Sequence, residues 1–343
     1  MDMIDIRSDS SGWIPVEGAR LFLRHWASLP GEPRAVLHVV HGMAEHSLRY
    51  ERLARKLSAE GFEVWAEDLR GHGYTADPKV NDPGKGGLGG HCADTEGNVL
   101  LCSDIAAVNR LIWEKRPGLP FFLMGHSWGS FLVQCYVETY GGLSSGAGNV
   151  SGCILSGTRG PDGVKTRLGV PFLAFIARLA SPRRFSAIAR AVADGPYNKP
   201  FRPNRTPFDW LSRDKKEVDR FVNDPLCGTL CSAGFYRDLI SLLEHIHRPE
   251  YMERIDRRLP FYIFGGSADP VGEMGASPTA LVETYRLMGI QDIEFTLYPE
   301  ARHETLNETN RDEVMDNLLT WMLKHISEPG AKPMAPAGTP PIR

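Results

Sequence analysis

A serine lies at the centre of the pentapeptide Gly-His-Ser-Trp-Gly at residues 125–129. The apolar run 120–124 before it predicts a β-strand, and the apolar residues 131–133 after it predict a helix. Gly-x-Ser-x-Gly between a strand and a helix is typical of a sharp turn that exposes a serine hydroxyl, because the flanking positions leave no room for a Cβ atom. We therefore predict that Ser127 is a nucleophile.

Two further residues could complete a site for acyl transfer, and each follows a predicted strand. Residues 260–264 form a compact apolar run shortly before Asp269, and residues 293–298 alternate as a strand does shortly before His303. Serine, then acid, then histidine is the chain order that this kind of nucleophile requires. In that chemistry His303 takes the proton of Ser127, while Asp269 fixes the histidine tautomer and stabilises the imidazolium. We predict that these three residues form a catalytic triad.

An oxyanion hole needs two backbone N–H groups that point at the developing negative charge. The residue after the nucleophile, Trp128, is expected to supply one of them. The other should come from the loop after an early strand, and the apolar run 35–40 followed by His41, Gly42 and Met43 provides such a loop. We assign the second donor to the N–H of Met43.

The elements that position these residues alternate between strand and helix patterns. Residues 47–60, 98–113 and 309–325 have the spacing of helices, whereas residues 62–67 and 151–155 have the pattern of strands. Such alternation predicts an α/β fold, with a mostly parallel central sheet and helices on both faces.

One segment interrupts the alternation. Residues 159–226 contain no clear strand, so we predict an inserted helical cap, or lid, on a core of residues 1–158 and 227–326. The Pro-rich residues 327–343 are expected to be disordered. Within the cap, residues 165–190 carry six basic side chains and no acidic one. This stretch either touches an anionic membrane surface or, the favoured interpretation, packs over the cleft with ordinary solvated arginines.

Several residues near the predicted triad are candidate contacts to a substrate. Glu45 and Arg49 follow the oxyanion loop, where they could hydrogen-bond a polar headgroup or brace the loop, and bracing is favoured. Phe172, Phe175 and Ile176 lie in the cap and could line a pocket for an acyl chain.

Composition limits the classes of partner and compartment. The 343 residues include 39 Lys and Arg against 42 Asp and Glu, so the formal charge of −3 predicts no nucleic-acid partner. No stretch of 18 apolar residues exists, and residues 1–7 carry acids, which is unlike a secretory signal. Six cysteines without Cys-x-x-Cys spacing favour a reducing cytoplasmic setting. No metal or organic cofactor is predicted, because the serine mechanism supplies its own nucleophile.

Three further segments carry a resemblance to a known family. They are Arg-Leu-Phe-Leu-Arg-His-Trp at 20–26, His-Gly-Met-Ala-Glu-His-Ser-Leu-Arg-Tyr at 41–50 and Glu-Asp-Leu-Arg-Gly-His-Gly at 67–73. With the serine turn and the loops at Asp269 and His303, they resemble the monoacylglycerol lipase and bacterial lysophospholipase branch of the α/β-hydrolases, which also includes serine aminopeptidase-like hydrolases. The resemblance covers about residues 18 to 325.

The resemblance implies an α/β-hydrolase fold and the hydrolysis of mono-acyl esters such as monoacylglycerols or lysophospholipids, or of shorter esters. It also implies that Met43 supplies an oxyanion donor, since that donor lies two residues beyond the loop histidine in this branch. Two alternatives stay open. An aminopeptidase-like amide hydrolase needs an acid to hold the substrate amine, for which Glu45 is the available residue. A non-catalytic ligand-binding protein on the same scaffold is disfavoured because no triad residue is lost, and enzymes with an aspartate nucleophile are disfavoured by Ser127.

Overall fold

Eight strands form one sheet in the part of the chain that the computed structural model describes, namely residues 4–140, 150–161, 181–185, 190 and 195–326. They are β1 (Ser10–Val16), β2 (Ala19–Trp26), β3 (Ala35–Val40), β4 (Phe62–Asp68), β5 (Phe121–His126), β6 (Gly152–Ser156), β7 (Phe261–Gly266) and β8 (Ile293–Tyr298). Their order across the sheet is β1-β2-β4-β3-β5-β6-β7-β8. β2 pairs antiparallel with β1 and β4, and all other neighbours are parallel. The predicted mostly parallel sheet is confirmed.

Helices cover both faces of this sheet, as predicted. The described helices are α1 (Glu51–Ala59), α2 (Gly97–Lys115), α3 (Trp128–Tyr140), α4 (Lys215–Asn223), α5 (Ala233–His245), α6 (Pro249–Met252), α7 (Ala276–Leu287) and α8 (Arg311–Ile326). One apolar cluster packs α2, α3, α5 and α7 on the sheet, and a second packs α1 and α8 on the other face.

The central strands read as uninterrupted apolar runs because both of their faces are buried. In β3 all six positions are buried. Val36 and Val40 belong to the first cluster, whereas Leu37 and Val39 belong to the second, as the two-residue period of a strand requires.

The N-terminal hairpin is the main element that the sequence analysis does not predict. No strand is predicted before residue 35, yet β1 and β2 pair along their whole length around a turn at Gly18. In β2, Leu21 and Leu23 are buried and alternate with exposed Arg20 and half-buried Arg24, and only the end of the strand, at His25 and Trp26, is buried at consecutive positions. This strand lies at the margin of the sheet, so its apolar signal is half that of the central strands.

The described part of the predicted cap, which includes residues 195–226, contains short 3₁₀ turns at Lys199–Phe201 and Asp209–Leu211 as well as α4. Its side chains Trp210, Leu211 and Phe221 form a third cluster with Val271, separate from the two clusters on the sheet. Separate packing supports the prediction of an inserted cap, whose boundaries stay a prediction. Phe172, Phe175 and Ile176, together with residues 327–343, lie outside the described residues. None of the described helices is long and apolar enough to cross a membrane.

A buried ion pair joins three segments beneath the candidate site. The side chain of Arg70 is fully buried, and it donates to both carboxylate oxygens of Asp104 on α2, at 2.5 and 2.9 Å. It also donates to the carbonyls of Glu17 at 2.7 Å and Lys85 at 3.2 Å. A Cβ at Gly86, where φ is 100°, would lie 2.7 Å from the Arg70 Cβ, so this close approach requires glycine. Burial raises the pKa of Asp104 to about 6, although Arg70 opposes the shift.

Asp104→Asn should destabilise the protein by about 3–5 kcal/mol at pH 7.5, because it leaves the Arg70 guanidinium buried without a counter-charge. The free energy of unfolding in urea measures this loss. Asp316→Asn is the matched control, since Asp316 pairs with Lys56 at an exposed position and its loss should cost less than about 1 kcal/mol. Equal stability of the two variants would contradict the role given to the buried pair.

Candidate active site

Ser127 occupies a strained position between the end of β5 and the start of α3. Its φ is 52°, in the left-handed region that side chains with a Cβ rarely adopt. Two hydrogen bonds fix the turn: the Ser127 N–H donates to the Ser156 carbonyl at 2.9 Å, and the Ser130 hydroxyl donates to the Ser127 carbonyl at 2.5 Å. The backbone is therefore held in the sharp turn that the sequence predicts.

The two glycines beside the serine permit close approaches that no other residue allows. A Cβ at Gly125 would lie 2.4 Å from the carbonyl oxygen of Gly129, and a Cβ at Gly129 would lie 2.2 Å from that of Val40 at the end of β3. Both contacts are with backbone atoms that cannot move aside. The glycines thus bring the start of α3 against the loop after β3, where the second oxyanion donor is expected.

Asp269 and His303 meet at the carboxyl ends of β7 and β8. The Nδ1 atom of His303 lies 2.9 Å from a carboxylate oxygen of Asp269, and both side chains are buried. The other Asp269 oxygen accepts the N–H of Val271 at 2.8 Å, which fixes the carboxylate. With Nδ1 occupied, Nε2 is left for the serine, and His303 and Ser127 line the same cavity. This arrangement supports the predicted triad.

The surroundings of His303 favour its protonated form. Burial lowers its pKa, but the attraction of Asp269, Glu304 and Glu45 outweighs burial, so the pKa lies above the usual 6.5. The ring of His126 lies 4.9 Å from that of His303, centre to centre. Burial and the neighbouring His303 lower the pKa of His126 to about 4. His126 therefore stays neutral and does not compete as the base.

His41 orients the loop after β3, a role that the sequence analysis does not identify. Its Nε2 accepts the N–H of Leu69 at 2.9 Å, so the ring proton is on Nδ1, which donates to the Gly42 carbonyl at 2.7 Å. The carbonyl and N–H of a trans peptide point in opposite directions. The Met43 N–H therefore points away from His41, and Met43 lines the cavity beside Ser127. The Trp128 N–H lies at the start of α3, where no helical partner exists. Both features support the assigned donors.

Glu45 is a buried brace of this loop. Its carboxylate accepts the N–H of Gly42 at 2.6 Å, the hydroxyl of Tyr50 at 2.8 Å and a guanidinium N–H of Arg49 at 2.7 Å. Burial raises the pKa of Glu45, but Arg49, the nearby histidines and the Gly42 N–H together lower it to about 2. Glu45 is therefore an ionised carboxylate whose oxygens are all engaged by the protein.

Arg49 joins the oxyanion loop to the loop of the predicted base. Besides Glu45, it binds both carboxylate oxygens of Glu304 at 2.6 and 2.7 Å, and Glu304 directly follows His303. Its guanidinium also lies over the ring of Phe221 on α4, 4.9 Å from the ring centre. These contacts support the favoured interpretation that Glu45 and Arg49 brace the site, while contact with a substrate stays a prediction.

Aromatic side chains of the cap close the site. The Trp210 ring lies 5.1 Å from that of His303, and Phe208 packs on Phe221 at 4.9 Å. The enclosed space beside Ser127 is about 40 Å³, which is room for a few water molecules. No fixed spacing in the sequence marks Trp210 or Phe208, because their place depends on how the cap folds back over the core.

One group of residues in the described part of the chain could hold a metal ion, and it lies outside the triad. Donor atoms of His46, Asp224 and Cys227 lie within 4.8 Å of one another. His46 and Asp224 already bond to each other at 2.9 Å, and the N–H of Gly228 donates to the Ala44 carbonyl at 2.8 Å. These contacts tie the segment after α4 to the oxyanion loop, which is a structural role.

Comparisons with known proteins give similarities over most of the chain. The family model described as serine aminopeptidase, S33, matches residues 31–310. A monoacylglycerol lipase of Mycolicibacterium smegmatis is 26% identical over 328 residues, which are 94% of this chain and 100% of that protein. A monoglyceride lipase of Mus musculus is 27% identical over 334 residues, or 93% and 91% of the two chains. A thermostable carboxyl esterase from Bacillus coagulans, solved with glycerol, has a TM-score of 0.81 at 27% identity, over 93% of this chain and 99% of that one.

The rate of hydrolysis of a nitrophenyl ester should rise with pH through a single ionisation above pH 6.5, because only neutral His303 can accept the Ser127 proton. Asp269→Asn removes the strongest attraction that keeps this pKa high, so the rise should move to lower pH. The same change should lower kcat by about 10³- to 10⁴-fold and leave residual activity. The pH profile of kcat/KM measures both effects. An unmoved profile with full activity would require another acid.

Arg49→Met should lower kcat for nitrophenyl acetate about 100-fold with little change in KM, because Glu45 and Glu304 lose the cation between them and the oxyanion loop loses its brace. Arg49→Lys should recover part of the rate. Arg52→Met is the matched control, since Arg52 pairs with Glu217 instead. Steady-state kinetics on variants with native circular dichroism provide the comparison. A rise in KM for glycerol esters at unchanged kcat would instead make Arg49 a substrate contact.

Proposed function

The chain belongs to the serine aminopeptidase, S33, family of hydrolases, and on that premise we propose that it cleaves mono-acyl esters through an acyl-enzyme on Ser127. The resemblance seen in the sequence and the α/β-hydrolase fold are thereby confirmed. The hydrogen bond between His303 and Asp269, beside the strained turn at Ser127, is the observation that carries the proposal.

The chemistry of the proposal uses only groups of this chain. His303 takes the proton of Ser127 as its oxygen attacks the ester carbonyl, and the N–H groups of Met43 and Trp128 stabilise the resulting oxyanion. His303 then gives the proton to the leaving alcohol, and Asp269 stabilises the imidazolium between the two transfers. A water molecule, activated by the same histidine, releases the acid and restores Ser127.

Monoacylglycerols and lysophospholipids are the proposed substrate class. Support comes from relatives of about 26% identity that are named monoacylglycerol lipase, and from the largely apolar side chains of Met43, Ala44, Cys231 and Tyr236 that line the cavity. Apolar lining favours an alkyl chain over a peptide.

Amide hydrolysis with an aminopeptidase-like specificity is less well supported. It needs an acid that is free to bind the α-amine of a substrate, and Glu45 is the candidate from the sequence. Its oxygens are engaged by Gly42, Tyr50 and Arg49. A substrate amine would have to displace the guanidinium, which leaves a buried arginine without a counter-charge.

We also propose a cytoplasmic location with the cap packed over the cleft, and contact of its basic stretch with a membrane surface is the less favoured alternative. All six cysteines are free thiols, which suits a reducing compartment. At the described edge of the basic stretch, Arg184 is exposed and Phe185 is 39% exposed. Arg183 is already paired with Asp94 at 2.6 Å, so it contributes less to attraction by an anionic surface than the sequence suggests.

Ser127→Ala should fold normally and lower the hydrolysis of 1-monoacylglycerol and of nitrophenyl esters by about 10⁴-fold or more. Ser58→Ala is the matched control, because Ser58 is a buried serine on α1 that lies outside the cavity lining. The measurement is initial rates on a panel of nitrophenyl esters, monoacylglycerol, lysophosphatidylcholine and an aminoacyl anilide. Full activity of Ser127→Ala would end the proposal, and faster cleavage of the anilide than of every ester would favour the amide alternative.

A further inference from the structure

One arginine at the candidate active-site cavity forms no ion pair with any residue that the structure describes. Arg190 lines the cavity together with Ser127 and His303 and is half-buried. Within the described chain, the only contact recorded for its guanidinium is with the ring of Phe208, whose centre lies 5.2 Å from Cζ. A guanidinium stacked on a ring keeps the N–H groups of its edge available for an acceptor.

The Arg190 guanidinium ends a stack that begins at Arg49. Arg49 lies over Phe221, Phe221 packs on Phe208, and Phe208 carries Arg190. The two ends differ in charge balance. Arg49 faces two carboxylates, Glu45 and Glu304, whereas no described carboxylate pairs with the Arg190 guanidinium, which lines the same cavity as Ser127.

The position of this charge indicates which part of an ester it faces. In serine ester hydrolysis the histidine gives its proton to the leaving alcohol, so the alcohol part lies on the side of His303. Trp210 packs against His303 at 5.1 Å, and Phe208 belongs to the same cap segment, two residues earlier. Arg190, stacked on Phe208, is thus joined through this segment to the side of His303, where the alcohol part lies.

We propose that Arg190 binds an anionic group on the alcohol part of the substrate, and that the enzyme prefers mono-acyl esters with a phosphate in the headgroup to neutral monoacylglycerols. This inference rests on the proposed function and selects within its substrate class. A guanidinium matches two phosphate oxygens with parallel N–H···O bonds. Partial burial strengthens such a bond, since less water screens the two charges.

The test compares lysophosphatidylglycerol and 1-monoacylglycerol with the same acyl chain. The readout is the ratio of their kcat/KM values, which cancels any general loss of activity. Arg190→Gln should lower this ratio about 10- to 100-fold, the range expected for a hydrogen bond to a charged group. Arg190→Lys keeps the charge without the planar fork, so its ratio should lie between the two. Arg20→Gln is the matched control, because Arg20 also lies over a ring, that of Trp13, but at an exposed position of β2 outside the cavity lining, so the ratio should stay unchanged.

A ratio that moves less than twofold in Arg190→Gln, or a wild type that prefers the neutral ester, would overturn the inference while the proposed function stands. A wild type that cleaves no ester would remove the proposed function instead. Binding calorimetry then tests the anion site without turnover. The Ser127→Ala variant should bind glycerol 3-phosphate more tightly than glycerol. The double variant with Ser127→Ala and Arg190→Gln should bind the two compounds equally. Tighter binding of glycerate than of glycerol 3-phosphate would show that the site prefers a carboxylate to a phosphate, and it would overturn the proposal.

Discussion

The backbone turn at Ser127 is the constraint on which the site depends. A residue with a Cβ atom is held at a φ of 52°, at a cost on the order of 1–3 kcal/mol. The turn persists because the Ser127 N–H is bonded to β6 and because Gly125 and Gly129 let β5, β3 and α3 approach closely. That close approach brings Ser127, the proposed nucleophile, and the loop of Met43, the proposed second oxyanion donor, together at the carboxyl edge of the sheet.

A network of buried charged side chains joins the loop after β3 to the loop that contains His303. Glu45 accepts a hydrogen bond from the N–H of Gly42. Arg49 binds both Glu45 and Glu304, and Glu304 directly follows His303 in the chain. Each carboxylate faces a cation or a backbone N–H, so the cost of burying these charges is offset by short bonds. The loops of the oxyanion donor and of the base are therefore held by one network, and a shift of either loop would break bonds to Arg49.

The sequence predicts those elements of the protein whose pattern lies in consecutive residues of the chain. The bounds of β3 match the apolar run 35–40 and those of β8 match the alternating run 293–298, because the pattern that predicts a strand lies in the residues of the strand itself. The triad prediction is local in the same way, because Ser127, Asp269 and His303 each follow a strand that the sequence predicts. By contrast, the bonds of Arg49 to Glu304 join residues 255 positions apart, and no local pattern records such a pair.

The cap is the part that sequence patterns describe least. Trp210 and Arg190 approach the cavity only through tertiary packing. The basic stretch of the cap also does not distinguish its arginines in sequence, although Arg183 pairs with Asp94 and Arg190 stacks on Phe208. Specificity therefore depends on the least predictable segment, whereas the reaction depends on the most predictable one. This division follows from the fold, since the loops of the proposed triad directly follow strands of the sheet, whereas the cap lies outside the sheet.

The central claim is that Ser127 is a nucleophile that His303 activates. It is tested most directly by treating the protein with a fluorophosphonate and locating the adduct by peptide mass spectrometry at several pH values. The account predicts one adduct per chain, on Ser127, with a labelling rate that rises through the ionisation of His303 above pH 6.5. An adduct on another residue such as Ser130, or a rate on Ser127 that is independent of pH, would contradict it.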